Sequence, residues 1–209
     1  SASQNGNGLM EDGKQTKSCE HGVETGGGTG VLDSQFLADA LTGLRSEQKF
    51  LHCKYLYDRR GSKIFDMICE LDEYYPTRTE AKITADNAAD IGECIGEGAI
   101  LVEYGSGSST KTRELIEHFN SPRAYLPVDI SEDHLLDSAG TLRAEYPWLT
   151  VQPIVADFTA EFELLDEHEG HPVCVYFPGS TIGNLEPDEA ELLLERIARQ
   201  CGVGGSLLI

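Results

Sequence analysis

The sequence predicts an α/β domain built on a doubly wound, Rossmann-like parallel sheet. Three observations carry that prediction. From residue 99 onward, five short apolar runs (AILVEY, AYLPVDI, VQPIVADF, PVCVYFP and SLLI) alternate with helical segments. A parallel sheet covered by helices on both faces needs this rhythm, because each crossover must return the chain to the same edge. The first run ends in a small-residue loop, Gly105-Ser106-Gly107-Ser108-Ser109, that leads straight into a helix at Thr110. Acids stand near the ends of the first three runs, at Glu103, Asp129 and Asp157.

The elements follow in order. Residues 1–30 are rich in Gly, Ser, Asn and Gln and poor in large apolar side chains, so a disordered tail is expected there. Leu37, Ala40, Leu41 and Leu44 have helical spacing behind Ser34, a residue able to cap. A second helix is expected after Gly61-Ser62, with Ile64, Phe65, Ile68 and Leu71 on one face. Thr77-Arg78-Thr79-Glu80 has capping-box spacing and announces a third, striped by Ile83, Ile91 and Ile95. The helix before the last strand is marked by Pro187 and acids near its start. Leu193, Leu194, Ile197 and Cys201 form its apolar face, and Gly202, Gly204 and Gly205 follow its end. The domain boundaries predicted are thus a tail over 1–30, an N-terminal helical segment over 31–78 and a sheet domain over 79–209. Because the last apolar run stops at Ile209, a continuation of the polypeptide or a fusion beyond it is expected.

Composition limits the function. Sixteen basic against 36 acidic residues give a formal charge of −20, which repels phosphate backbones and anionic membranes. Nucleic acid and membrane surfaces are therefore not expected partners. Six cysteines, at 19, 53, 69, 94, 174 and 201, contain no CxxC pair and read as reduced packing thiols of a cytoplasmic protein. His168 and His171 in DEHEGHP read as a surface connection beside Gly170 and Pro172, so no metal site is predicted.

The loop after the first strand presents backbone donors and a positive helix end where doubly wound sheets bind ligands. A dinucleotide fingerprint wants GxGxxG, and Thr110 stands at the third position. Acid-x-Gly-x-Gly, with Glu103 two residues before Gly105, fits the loop of S-adenosylmethionine-dependent methyltransferases better. Lys111 suits a methionine carboxylate, and Asp129 a ribose diol. Asp157-Phe158 offers an acceptor for an adenine amino group and an apolar ring. The bland alternative is a tight turn at Gly105 and Gly107 with aspartates that cap helices; three acidic strand ends in register weigh against it.

YDRRGSKIFDMICELDEYYPTRTE (57–80), LVEYGSGSSTKTR and YFPGSTIGNL together resemble the histidine-specific N-alpha-methyltransferase family. That family includes the first enzyme of ergothioneine biosynthesis and the methyltransferase domain of ovothiol synthase; a related branch methylates a prenylated tryptophan. The resemblance runs from about residue 36 to the C-terminus and implies a class I methyltransferase fold with an N-terminal helical substrate-side segment. It implies cofactor contacts at Gly105, Lys111, Asp129, Asp157 and Phe158, and substrate contacts at Tyr57, Tyr74 and Asn184. Asp72 stands where the family commonly carries Pro. Asn184 also suits the cap of a helix beginning near Glu186.

The expected activity is stepwise transfer of methyl groups from S-adenosylmethionine to the α-amino nitrogen of L-histidine, ending at the trimethyl betaine. Two alternatives stay open: a tryptophan-type N-methyltransferase, and a cofactor-binding module without activity. An α-amino group with a pKa of about 8 arrives mostly protonated at pH 7. No His or Lys in the motifs stands out to take that proton, and Tyr57, through its hydroxyl or a water, is the candidate acceptor.

Overall fold

The computed structural model describes residues 30–107, 110–164 and 170–209; of the tail expected over 1–30, residues 1–29 lie outside them, as do Cys19 and His168, while Gly30 is the first residue of a helix. The chain divides into two compact units, one ending at Phe50 and the other spanning Leu51–Ile209. In the first, helix α1 covers Gly30–Arg45. Ser34 therefore sits inside the helix rather than capping it, and Leu37, Leu41 and Leu44 are exposed.

The second unit opens with a 3-10 turn, Cys53–Leu56, followed by α2, Arg59–Cys69. Helix α2 begins earlier than the Gly61-Ser62 signal suggests because the Asp58 carboxylate caps it, accepting from Gly61 N–H at 2.7 Å. Gly61 is needed for closeness: a Cβ there would lie 1.7 Å from the Leu56 carbonyl oxygen. Of the face expected on α2, Ile64 and Leu71 are exposed.

Helix α3, Tyr75–Ile95, starts at Tyr75-Pro76 and not at the Thr77-x-x-Glu80 box. Proline is preorganised for a first helical turn, so the helix begins ahead of the box, and Thr77 and Glu80 fall within it. Thr77 Oγ1 instead contacts Cys69 Sγ at 3.5 Å, and the Glu80 side chain is drawn to Lys111 and Gly179. The buried stripe of α3 is Thr84, Ala88 and Gly92, while Ile83 is exposed. Small residues at this spacing allow close approach to the next helix: a Cβ on Gly92 would sit 2.4 Å from the His118 carbonyl oxygen.

Five parallel strands then form one sheet: β1 (Ile100–Tyr104), β2 (Ala124–Asp129), β3 (Ile154–Val155), β4 (Val173–Tyr176) and β5 (Ser206–Leu208), in the order β3-β2-β1-β4-β5. The crossovers carry α4 (Thr110–His118), α5 (Glu132–Glu145) and α6 (Pro187–Cys201). Period-2 alternation along β1 and β2 splits the core into two layers. Ile100, Val102, Leu126 and Val128 pack with Leu193 and Ile197 of α6. Leu101 and Tyr125 pack with Leu115 and Ile116 of α4 and Leu142 of α5. Both sheet faces are thus covered, as the near-continuous apolar runs require.

The third run, VQPIVADF, yields only a two-residue strand, with Val151 making an isolated bridge to Tyr125. Pro153 has no N–H to give to a ladder, which suits the edge position β3 occupies. Helix α6 is capped by Glu186, with Glu189 closing a capping box, so Asn184 is not its cap. Leu193 and Ile197 are buried as expected, while Leu194 is exposed. The strand order reverses at β1, placing the loops after β1 and β4 on either side of the switch point.

Candidate functional site

The loop leaving β1 is shaped by two left-handed glycines, Gly105 (φ +67°) and Gly107 (φ +49°). Gly105 and Ser106 donate their N–H groups to the Val128 carbonyl at 2.9 and 3.3 Å, which locks the loop to the end of β2. Gly107 N–H donates to Asp129 Oδ2 at 3.2 Å, and Ser131 N–H to Asp129 Oδ1 at 2.9 Å. The Asp129 carboxylate therefore faces the loop, at the tip of the neighbouring strand. Space opens beside Gly107, where a Cβ would meet nothing within 4 Å. Ser106 Oγ is buried without a hydrogen-bond partner.

Beneath the loop lies an aromatic floor. The Phe158 ring stacks on Tyr104 at 5.6 Å between centroids and meets Phe177 edge-on at 5.3 Å. Its edge lies 3.5 Å from where a Gly105 Cβ would stand. Asp157, one residue earlier, accepts from Thr159 N–H at 2.9 Å and from Lys54 Nζ at 2.9 Å. Burial pushes the Asp157 carboxyl up, but the bonds from Thr159 and Lys54 outweigh it and hold the group below its ordinary range. Lys54 comes from the 3-10 turn ahead of Tyr57 and lies 103 residues from its partner in sequence. Nothing local in LHCKYLY marks it.

Glu103 is fully withdrawn into the sheet at 2% exposure, and its Oε2 accepts from both the Thr112 hydroxyl and the Tyr125 hydroxyl. Burial raises its carboxyl to about 7, against the opposing pull of those two bonds and of Lys111. Glu103 is thus a buried brace under the loop. Lys111, in the first turn of α4, pairs with the Glu80 carboxylate, whose other oxygen accepts from Gly179 N–H at 2.6 Å in the loop after β4. The role that sequence spacing gives Glu80, capping α3, is replaced by one at the switch point.

Tyr57 and Tyr74 converge on Phe65 of α2, with edge-on ring contacts at 5.6 and 6.0 Å. Burial, followed by the fields of Cys53, Tyr74, Cys69 and Asp129, raises the Tyr57 phenol, so it is a neutral hydroxyl across the physiological range. Asp129, at the tip of β2, is near enough for its field to reach Tyr57. Asn184 is exposed at the end of a 3-10 turn, Thr181–Asn184, that follows β4. No group of three metal-ligating side chains occurs among the described residues. Two surface hollows, of about 510 and 360 Å³, lie along α3 away from the loop, one against the end of α4 and the other against β5.

The arrangement suits a nucleoside carrying a polar tail. It offers an open glycine loop, an acid at the tip of β2, an aromatic edge and an acceptor after β3, and a cation in the first turn of α4. Comparisons with known proteins agree. The profile of a family described as "Histidine-specific methyltransferase, SAM-dependent" matches residues 36–209. The chain is 37% identical over 174 residues to the histidine N-alpha-methyltransferase of Mycolicibacterium smegmatis, covering 82% of this chain and 53% of that protein. It is 28% identical over 159 residues to the ergothioneine biosynthesis protein 1 of Neurospora crassa, covering 74% of this chain and 18% of that protein. The fold matches the magnesium protoporphyrin IX methyltransferase of Synechocystis PCC 6803 solved with bound SAH. The TM-score is 0.51 at 13% identity, covering 71% of this chain and 66% of that one. The chain spans about half the length of the M. smegmatis relative.

Proposed function

Because the chain belongs to the SAM-dependent histidine-specific methyltransferase family, as the match over 36–209 shows, we propose that it methylates the α-amino nitrogen of L-histidine, stepwise, to the trimethyl betaine. The observation that carries this reading is the Asp129 carboxylate held against the open Gly105–Gly107 loop by Gly107 N–H and Ser131 N–H. When bound, S-adenosylmethionine supplies an electrophilic methyl group on a sulfonium centre.

The residues do the rest. Asp129 accepts from the ribose hydroxyls, Lys111 meets the methionine carboxylate, Asp157 accepts from the adenine amine, and the Phe158 edge covers the purine. Tyr57 and Tyr74 hold the amino acid, joined by Asn184 from the turn after β4. The neutral Tyr57 phenol oxygen accepts a hydrogen bond from the substrate ammonium and donates its own O–H to water; as the ammonium proton moves onto that oxygen the phenol's own proton passes to the water, and the hydroxyl is restored without a tyrosinate. Fixing the nitrogen in line contributes most, since orientation supplies roughly 7 to 11 kcal/mol in well-aligned reactions. Cys53, Cys69, Cys94, Cys174 and Cys201 are free thiols, which supports a reducing, cytoplasmic setting. No helix among the described residues is long and apolar enough to cross a membrane.

Mass spectrometry of reactions with S-adenosylmethionine and each amino acid tests the proposal. Histidine gaining one, two and three methyl masses in succession is the expected result. Methylation of tryptophan or a prenylated tryptophan instead would move the assignment to the tryptophan-type branch. Binding of S-adenosylhomocysteine with no methylated product would leave a cofactor-binding module.

A further inference from the structure

Glu80 is a glutamate in the wrong place for a structural cap. The sequence spacing Thr77-x-x-Glu80 would turn it back onto its own helix, yet its two oxygens reach Lys111 Nζ and Gly179 N–H, on the two sides of the sheet's switch point. Gly179 is left-handed (φ +80°), and a Cβ there would lie 3.6 Å from Lys111 Nζ. Three elements far apart in sequence thus bring one cation, one anion and one backbone donor together at the mouth of the loop. Both side chains are largely covered, at 19% exposure for Lys111 and 30% for Glu80.

The other carboxylates of this edge make their hydrogen bonds to groups other than Lys111. Glu103 is buried beneath the loop and takes the Thr112 and Tyr125 hydroxyls. Asp129 takes Gly107 and Ser131 N–H, and Asp157 takes Lys54 and Thr159. If Lys111 meets an α-carboxylate, the ammonium on the same carbon lies within a few ångströms and needs a counter-charge of its own. Glu80 is the carboxylate that touches Lys111.

We propose that Lys111 and Glu80 form a zwitterion clamp, in which Lys111 holds the α-carboxylate of the cofactor's amino-acid tail and Glu80 holds its α-ammonium. This rests on the cofactor reading given above. The clamp makes Glu80 a specificity determinant for nucleosides that carry a free α-amino group. It also joins α3, which follows directly on Tyr74, to the cofactor tail.

The test is a two-by-two comparison by calorimetry: the chain and its Glu80→Gln variant, each titrated with S-adenosylhomocysteine and with its des-amino analogue. Glutamine keeps an oxygen for Gly179 N–H and removes only the charge, so the loop tie is spared. Removing the ammonium should weaken binding to the unaltered chain tenfold or more. In Glu80→Gln the two ligands should bind within about threefold of each other, because the interaction is already lost. Independent effects, with the variant still preferring the amino ligand tenfold, would overturn the clamp, as would equal affinities for the unaltered chain. Should Glu80→Gln fail to fold, the ligand pair on the unaltered chain still decides whether the ammonium is read at all. Failure of the unaltered chain to bind S-adenosylhomocysteine would overturn the cofactor reading and the clamp with it.

Discussion

Replacing Glu103 by Gln should change how stability depends on pH. Glu103 is buried in β1, and its Oε2 takes hydrogen bonds from Thr112 and Tyr125. The charged groups that bear on it are Lys111 from α4, which favours the carboxylate, and Asp129 from β2, which opposes it; Tyr176 of β4 feels its field in turn. Burial dominates and lifts the carboxyl from an ordinary 4.5 to about 7. The unfolded chain releases this proton near 4.5 and the folded chain only near 7. The raised value therefore contributes stability that is fully present below pH 4.5, declines through the interval, and is gone above 7. At about 1.36 kcal/mol per pH unit, the interval is worth about 3 kcal/mol. Glutamine has no such titration, and its carbonyl oxygen can accept both hydroxyls. Urea unfolding at a series of pH values from 4.5 to 8 should show the variant gaining about 3 kcal/mol on the parent across the window, with the titrating groups that do not feel Glu103 cancelling in the difference. A difference that stays flat with pH would refute the claim that a buried, proton-retaining carboxyl sits under the loop.

Asp129→Asn removes the charge that faces the loop, and S-adenosylhomocysteine binding measured by calorimetry should fall roughly 10- to 100-fold, the worth of a charged hydrogen bond of about 1.5 to 3 kcal/mol. Lys54→Met deletes a partly exposed pair at 2.9 Å from Asp157 and should cost about 0.5 to 1 kcal/mol at pH 7. Asp157 is lowered in the folded chain, so its stabilising effect exists above the unfolded value and is lost as pH falls through the folded one. The penalty of Lys54→Met should accordingly shrink in acid unfolding curves. Gly92→Ala should cost about 1 to 3 kcal/mol, because a methyl group there collides with the His118 carbonyl. Gly140→Ala, in α5 with open space around it, should instead stabilise by about 0.5 to 1 kcal/mol. Chemical denaturation of the two alanine variants side by side checks both signs.

The parallel sheet was legible because each central strand carries its own signal: ILVEY and AYLPVD are buried along almost their whole length, and burial on both faces demands uninterrupted apolar side chains. The loop was legible for a similar reason, since Gly105 and Gly107 adopt φ values that other residues resist. Where local signals misled, a partner distant in sequence or a neighbouring residue had won. Pro153 cut short a strand that its flanking Val and Ile residues promised, and Asp58 started α2 before the glycine that looked like its boundary. Glu80 is the sharpest case. Its capping-box spacing is genuine, but Tyr75-Pro76 starts the helix first, and the freed carboxylate finds Lys111 and Gly179. Lys54 was invisible because its meaning lies wholly in Asp157.

These distant pairs change how ligand affinity at such an edge must be reckoned. Asp129, Asp157 and Lys111 each have a protein partner: two backbone donors, a lysine with a threonine, and a glutamate. A ribose, an adenine amine or a carboxylate that engages one of them shares or replaces an existing bond, so the net gain is the difference between two good interactions. Backbone donors such as Gly107 N–H can be shared, because a carboxylate has lone pairs to spare for two hydroxyls as well. The ion pairs behave differently, since drawing Lys111 away from Glu80 strands a half-buried carboxylate unless a new cation arrives with the ligand. A zwitterionic tail brings that cation. A tail carrying only a carboxylate would have to bear the full cost of separating the pair, and under the proposed clamp this asymmetry would select an amino-acid nucleoside over nucleosides with simple acid tails, even where every contact to base and sugar is the same.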